Sequence, residues 1–106
     1  MTPDDTSPRG RGILAIVVFR PLSGMEQECL SALRSLFQVI RRKKYGRGLL
    51  LRDVQDGCWI GVRLWASEDA RREAQEDPEV FRQWERLGQL CTVERVRSNL
   101  ERIEVD

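Results

Sequence analysis

One short stretch carries most of the chemistry this sequence offers. In Cys58-Trp59-Ile60-Gly61-Val62-Arg63-Leu64-Trp65, strand alternation sets Trp59, Gly61, Arg63 and Trp65 on one face and Cys58, Ile60, Val62 and Leu64 on the other. A guanidinium between two indoles stacks on the rings and directs its N–H groups at an anionic or phenolic ligand. The more usual role of such an arginine, and the one expected here, is a salt bridge with a glutamate from the helices or the partner. Trp65, at the strand end, serves either as packing or as the wall of a pocket. Gly61 leaves space beside both tryptophans, for a bulge or for a ligand.

Other chemistries are excluded by what the chain lacks. It has no histidine, which removes Ser-His and Cys-His nucleophile pairs, His-ligated zinc and an ordinary His-ligated haem. No paired-carboxylate motif, glycine-rich phosphate loop or metal-ligand spacing is present, so no metal or cofactor is expected. Cys29, Cys58 and Cys91 lie about thirty residues apart with no Cys-x-x-Cys pair. They read as buried thiols in a reducing cytoplasm rather than a disulfide framework. Lys plus Arg is 18 against 17 Asp plus Glu, a net charge of +1. Residues 1–50 hold nine basic against four acidic side chains (+5), and residues 51–106 nine against thirteen (−4). The positive excess gathers in Arg41, Arg42, Lys43, Lys44 and Arg47, and the run 41–44 reads as a solvated helix end that suits the dipole. No nucleic-acid partner is expected from this balance.

Length and composition then bound the scaffold. A chain of 106 residues, 41% hydrophobic and 33% charged, makes one globular domain. The longest apolar run, residues 13–19, is far short of the roughly 18 residues that span a bilayer, and no signal-peptide pattern precedes it. No membrane association is expected.

Residues 1–11 read as a flexible tail and 12–106 as the domain. Residues 13–19 are apolar at every position, which predicts a strand buried on both faces, ended by Pro21. Ser23-Gly24-Met25-Glu26 fits a capping box. Behind it Met25, Cys29, Leu30, Leu33, Leu36, Phe37 and Ile40 recur at helical spacing, closed by the basic turn and Gly46. Gly48 to Val54 and Cys58 to Ala66 are two strands joined by Gln55-Asp56-Gly57. Ser67 caps a helix, and Asp77-Pro78 starts another whose Val80, Phe81, Trp84 and Leu87 share one face. Phe81 and Trp84 are expected to face the sheet as helix core. Ile103 and Val105 suggest a final strand; Val93 and Val96 fit that strand or the preceding helix.

This order predicts an α+β, ferredoxin-like βαββαβ unit, an antiparallel sheet with helices on one face. Helices then leave an apolar sheet face uncovered. Each large side chain left there forgoes about 1.5–3 kcal/mol of burial, which a second copy packed sheet to sheet would recover. A homodimer is expected.

The stretch Val62-Arg63-Leu64-Trp65-Ala66-Ser67-Glu68-Asp69-Ala70 and Asp77-Pro78-Glu79-Val80-Phe81 resembles the antibiotic-biosynthesis monooxygenase (ABM) family of dimeric α/β barrels. Shared features are a strand ending in tryptophan, a Ser-x-x-Ala helix start and a proline-marked helix restart. The turns at 21–24 and 45–46 also sit where that family places them, and the resemblance spans about residues 13–105. It implies a homodimer with a small hydrophobic pocket in each subunit. Some members oxidise polycyclic aromatics with O₂ and no cofactor, and a related branch degrades haem. Trp65 matches the family's pocket tryptophan. Gly61 stands where an asparagine is often found, and Gln83-Trp84-Glu85 stands where the haem-degrading branch has its iron-binding histidine.

The resemblance and the residues together lead to cofactor-independent monooxygenation of a small aromatic or polyketide-like substrate. Trp65 and Arg63 are the expected catalytic residues; Trp59, Gly61, Phe81 and Trp84 are the expected substrate-binding ones. A noncatalytic dimeric ligand-binding or structural domain is the alternative. An RNA-recognition-motif-like platform, with Trp59, Arg63 and Trp65 stacking bases, is the rival from another class.

Overall fold

The computed structural model describes residues 14–105; the expected tail and residue 13 lie outside them. Strand β1 (Leu14–Pro21) is followed by helix α1 (Glu26–Arg42) and strands β2 (Gly46–Arg52) and β3 (Trp59–Trp65). Helices α2 (Glu68–Glu76) and α3 (Pro78–Gly88) lead to strand β4 (Cys91–Leu100). The sheet order is β2-β3-β1-β4, antiparallel throughout, which is the expected α+β ferredoxin-like arrangement.

The β1–β3 register decides which face meets the helices. Phe19 pairs with Trp59, Val17 with Gly61 and Ala15 with Arg63, and these side chains lie under α1 and α3. Phe19, Leu33, Leu36, Ile40, Trp59 and Leu87 belong to the resulting core, with Phe19 edge-on to Trp59 at 6.0 Å. Leu14, Ile16, Val18, Ile60, Val62 and Leu64 project to the opposite face, joined by Leu49 and Leu51 from β2. No element among the described residues covers them. The first strand is therefore not buried on both faces: Phe19 alone is buried, and the other positions on either face are half-buried.

Several local expectations are corrected. The capping box does not form: Gly24 takes φ +81, the chain turns there, and Met25 becomes the N-cap with no side-chain hydrogen bond. At the other end of α1, Lys44 (φ 62), not Gly46, adopts the left-handed conformation, while Tyr45 N–H donates to the Ile40 carbonyl. Gly46 already belongs to β2. The hairpin connection runs from Asp53 to Cys58: Asp53 accepts from the amides of Gln55 and Asp56, and Gly57 takes φ +83. The last strand is Cys91–Leu100, and Ile103 and Val105 lie beyond it, exposed.

The basic run at the end of α1 is more than a solvated cap. Arg42 pairs with Glu79 at 2.9 Å, and Lys43 bridges Asp77 (2.7 Å) and Glu79 (3.0 Å). Asp77 also accepts from Tyr45 Oη at 2.7 Å and from the Glu79 amide, so one carboxylate ties the turn between α1 and β2 to the start of α3. These contacts hold α3 at a fixed height above the sheet.

Candidate functional site

Between α2, α3 and the inner face of β1 and β4 lies an open cavity of about 430 Å³. That volume suits a small organic molecule. Val17 forms part of its floor, Trp65 and Trp84 stand at its sides, and Phe81 stands at the rim. Two valines three residues apart, Val93 and Val96, both contribute. Strict alternation would separate them, but the β1–β4 register shifts between Val18 and Phe19, and the bulge turns both inward. The polar side chains of the lining are Arg71, Gln75 and Ser98; it holds no carboxylate.

Phe81 and Trp84 are not the helix core that their spacing predicts. They are 59% and 37% exposed, because α3 buries Val80 and Leu87 and leaves the two aromatics over the cavity. Exposed rings of this size gain free energy from whatever covers them.

Beside the cavity lies an inner space of about 60 Å³, with Ala15, Val17, Trp65 and Trp84 lining both. Arg63 lines this inner end and is 7% exposed. Its guanidinium lies between two rings, 4.7 Å from the Phe37 centroid and 5.3 Å from that of Trp65. The expected glutamate partner is absent: no carboxylate among the described residues is ion-paired with Arg63, and its Nε makes no hydrogen bond. Burial pushes the guanidinium down to about 10, which still leaves it charged at neutral pH.

The structure thus brings Arg63, Trp65, Gly61 and Trp84 to one inner end and sets Phe81 at the mouth. Trp59 shares their face but is core, packed on Phe19, and lines neither space. Phe37, the second ring on Arg63, escaped the sequence reading, since its helical spacing marks it only as apolar. The thiols sit apart from the site. Burial raises that of Cys29 to about 11, and the Asp56 carboxylate, with burial second, raises that of Cys58. An RNA platform needs its aromatics on the open sheet face; here Trp59, Arg63 and Trp65 face the helices.

No protein-family model and no curated protein matches the sequence. Solved structures do match the fold. A variant of SnoaB, a cofactor-independent oxygenase from Streptomyces nogalater, superposes with a TM-score of 0.66 at 23% identity, over 79% of this chain and 89% of that one. A protein from Deinococcus radiodurans, provisionally assigned as an antibiotic biosynthesis monooxygenase, gives 0.68 at 16% identity, over 88% and 97%. A similarly assigned protein from Chloroflexus aurantiacus gives 0.67 at 14%, over 88% and 92%. The chain has an ABM-like fold, as the sequence resemblance implies.

Proposed function

We propose that this chain is an ABM-like domain that takes a small aromatic or polyketide-like molecule into the cavity between sheet and helices and oxygenates it without a cofactor. The observation that carries the reading is the cavity itself: apolar, walled by Trp65, Phe81 and Trp84, with two of those rings left partly in solvent. The likeness in fold to a cofactor-independent oxygenase supports it.

The lining constrains the chemistry. With neither histidine nor carboxylate in it, the cavity offers no general base. A substrate must then ionise readily by itself, as hydroxylated anthrones do. The anion passes electrons to O₂; the methylene becomes a carbonyl, one oxygen atom enters the product and the other leaves as water. The protein's part is to orient the ring system against Trp65 and keep bulk water away. A domain that binds the same molecule without reacting would show the same cavity, and product formation separates the two.

In this reading a second copy covers the outer sheet face, where Leu14, Ile16, Val18, Ile60, Val62, Leu64, Leu49 and Leu51 stand uncovered. Three unpaired thiols, all buried, fit the cytoplasm; no helix among the described residues is long and apolar enough to cross a membrane.

Tryptophan fluorescence during titration with a hydroxylated anthraquinone tests binding, and oxygen uptake with the corresponding anthrone tests turnover. Saturable quenching with uptake above the protein-free rate is expected. Quenching without uptake leaves a binding domain, and quenching only by a short oligonucleotide overturns the reading.

A further inference from the structure

Arg63 presents a charge that no carboxylate among the described residues neutralises. Buried guanidinium groups are ordinarily held by a carboxylate, because an ion removed from water must regain its solvation from partners. The two flanking rings replace part of that solvation through their faces. They leave the N–H edge unanswered, and Nε is without a partner. A second copy seated on the outer sheet face cannot supply the missing acid, since Arg63 projects from the opposite face.

The neighbouring strand is small beside that nitrogen. β2 carries Gly48 opposite Arg63, where a Cβ would stand 3.4 Å from Nε and 3.5 Å from Phe37. The inner space is too small for a ring system but has room for a carboxylate or a single oxygen substituent.

We infer that Arg63 is an anion subsite, and that the molecule this cavity takes is an aromatic oxyanion, a ring system in the outer space whose carboxylate or acidic phenolate oxygen enters the inner one. The inference rests on the reading of the cavity as a small-molecule site and adds the charge its occupant must carry. Rings lie against Trp65 and Trp84, and the oxyanion accepts from the Arg63 edge in a charge-assisted hydrogen bond.

Calorimetric titration with 2-naphthoate and with the neutral 2-naphthamide, which has nearly the same shape, tests this. The naphthoate should bind about tenfold to a hundredfold more tightly. Arg63→Met should keep the amide's affinity and abolish the preference; Arg63→Lys, which keeps the charge but loses the planar fork, should retain part of it. For the phenolate source, 4-nitrophenol reports its own ionisation by absorbance, and binding should lower its apparent pKa in the wild type and raise it in Arg63→Met. Equal affinity of acid and amide in the wild type, or a preference that survives Arg63→Met, overturns the anion subsite while leaving the cavity reading intact. Failure of both naphthalenes and of the anthraquinone to bind overturns both. The wild-type comparison is decisive even if a variant fails to fold.

Discussion

Gly48 lies directly across the β2–β3 ladder from Arg63, and a Cβ built on it would meet the Val62 carbonyl oxygen at 2.4 Å. Two residues away Gly46 faces Trp65 in the same manner, its Cβ 2.5 Å from the Leu64 oxygen. Leu50 in turn faces Gly61. At these three pairs the edge strand is small where the central strand is large, and large where it is small; Arg52 opposite Trp59 departs from the pattern. This reciprocity seats Arg63 and Trp65 against the helices without parting the strands.

Gly48→Ala should therefore lower stability by about 1–3 kcal/mol, the usual cost of an atom forced into filled space. Urea denaturation measures it. An unchanged midpoint would show that the ladder yields freely at this point.

Val17 and Val18 are neighbours on β1 with opposite outlooks. Val17→Asp puts a carboxylate beneath the helices in the inner space that Arg63 also lines, so it should leave the dimer intact and abolish the calorimetric preference for naphthoate. Val18→Asp puts it on the outer face, so the chain should stay folded by circular dichroism yet run as a monomer. Wild-type protein should scatter light as about twice 12.3 kDa. A well-dispersed wild-type monomer would remove the dimer from the proposed function.

Trp65 is only partly buried and borders both spaces. Trp65→Ala should cost less than the ~3–5 kcal/mol of a fully buried tryptophan, roughly 1–3 kcal/mol, and leave the dimer intact. It should weaken the anthraquinone more than it weakens the fold. The full penalty with unchanged affinity would make Trp65 a packing residue.

Asp77 gives a pH signature. Lys43, then the Tyr45 hydroxyl, hold its carboxyl well below the usual range. A carboxyl depressed on folding contributes stability above its unfolded pKa of about 3.9 and loses it progressively as pH falls below that value. Asp77→Asn keeps an acceptor for the Glu79 amide but drops the ion pair. Its deficit against wild type in thermal melts should be full at pH 7 and smaller at pH 3. A deficit that grows on acidification would contradict this assignment.

Much of this molecule is legible in its residues. The alternation from Trp59 to Trp65 fixes which side chains share a face, because a strand's period is two. It does not say which face meets the helices, since both are rich in apolar groups; only the pairing of Phe19 with Trp59 decides that. Asp77-Pro78 marks a helix start through its own chemistry, whereas its bonds to Lys43 and Tyr45 join positions over thirty residues apart. Val93 and Val96 mislead because a bulge gives strand residues the spacing of a helix. The helical period correctly groups Phe81 with Trp84, but period reports a direction, and whether that direction is filled depends on the rest of the fold. The missing counter-ion of Arg63 is a property of everything around it, and no local pattern could announce it.

Asp77 has a consequence for how the length of this chain can vary. It ends α2 and begins α3, so the two helices share a residue and have no linker between them. Each amino acid inserted just past Asp77, within the first turn of α3, would rotate the rest of that helix by about 100° about its axis and advance it by about 1.5 Å. One insertion would carry Phe81 and Trp84 away from the cavity and bring charged side chains over it. The six-residue turn from Asp53 to Cys58 has no such coupling, for it lies at the sheet's end and touches neither space. Length changes are tolerable at the hairpin and ruinous at the helix junction, so the junction sets the reading frame of the aromatic wall.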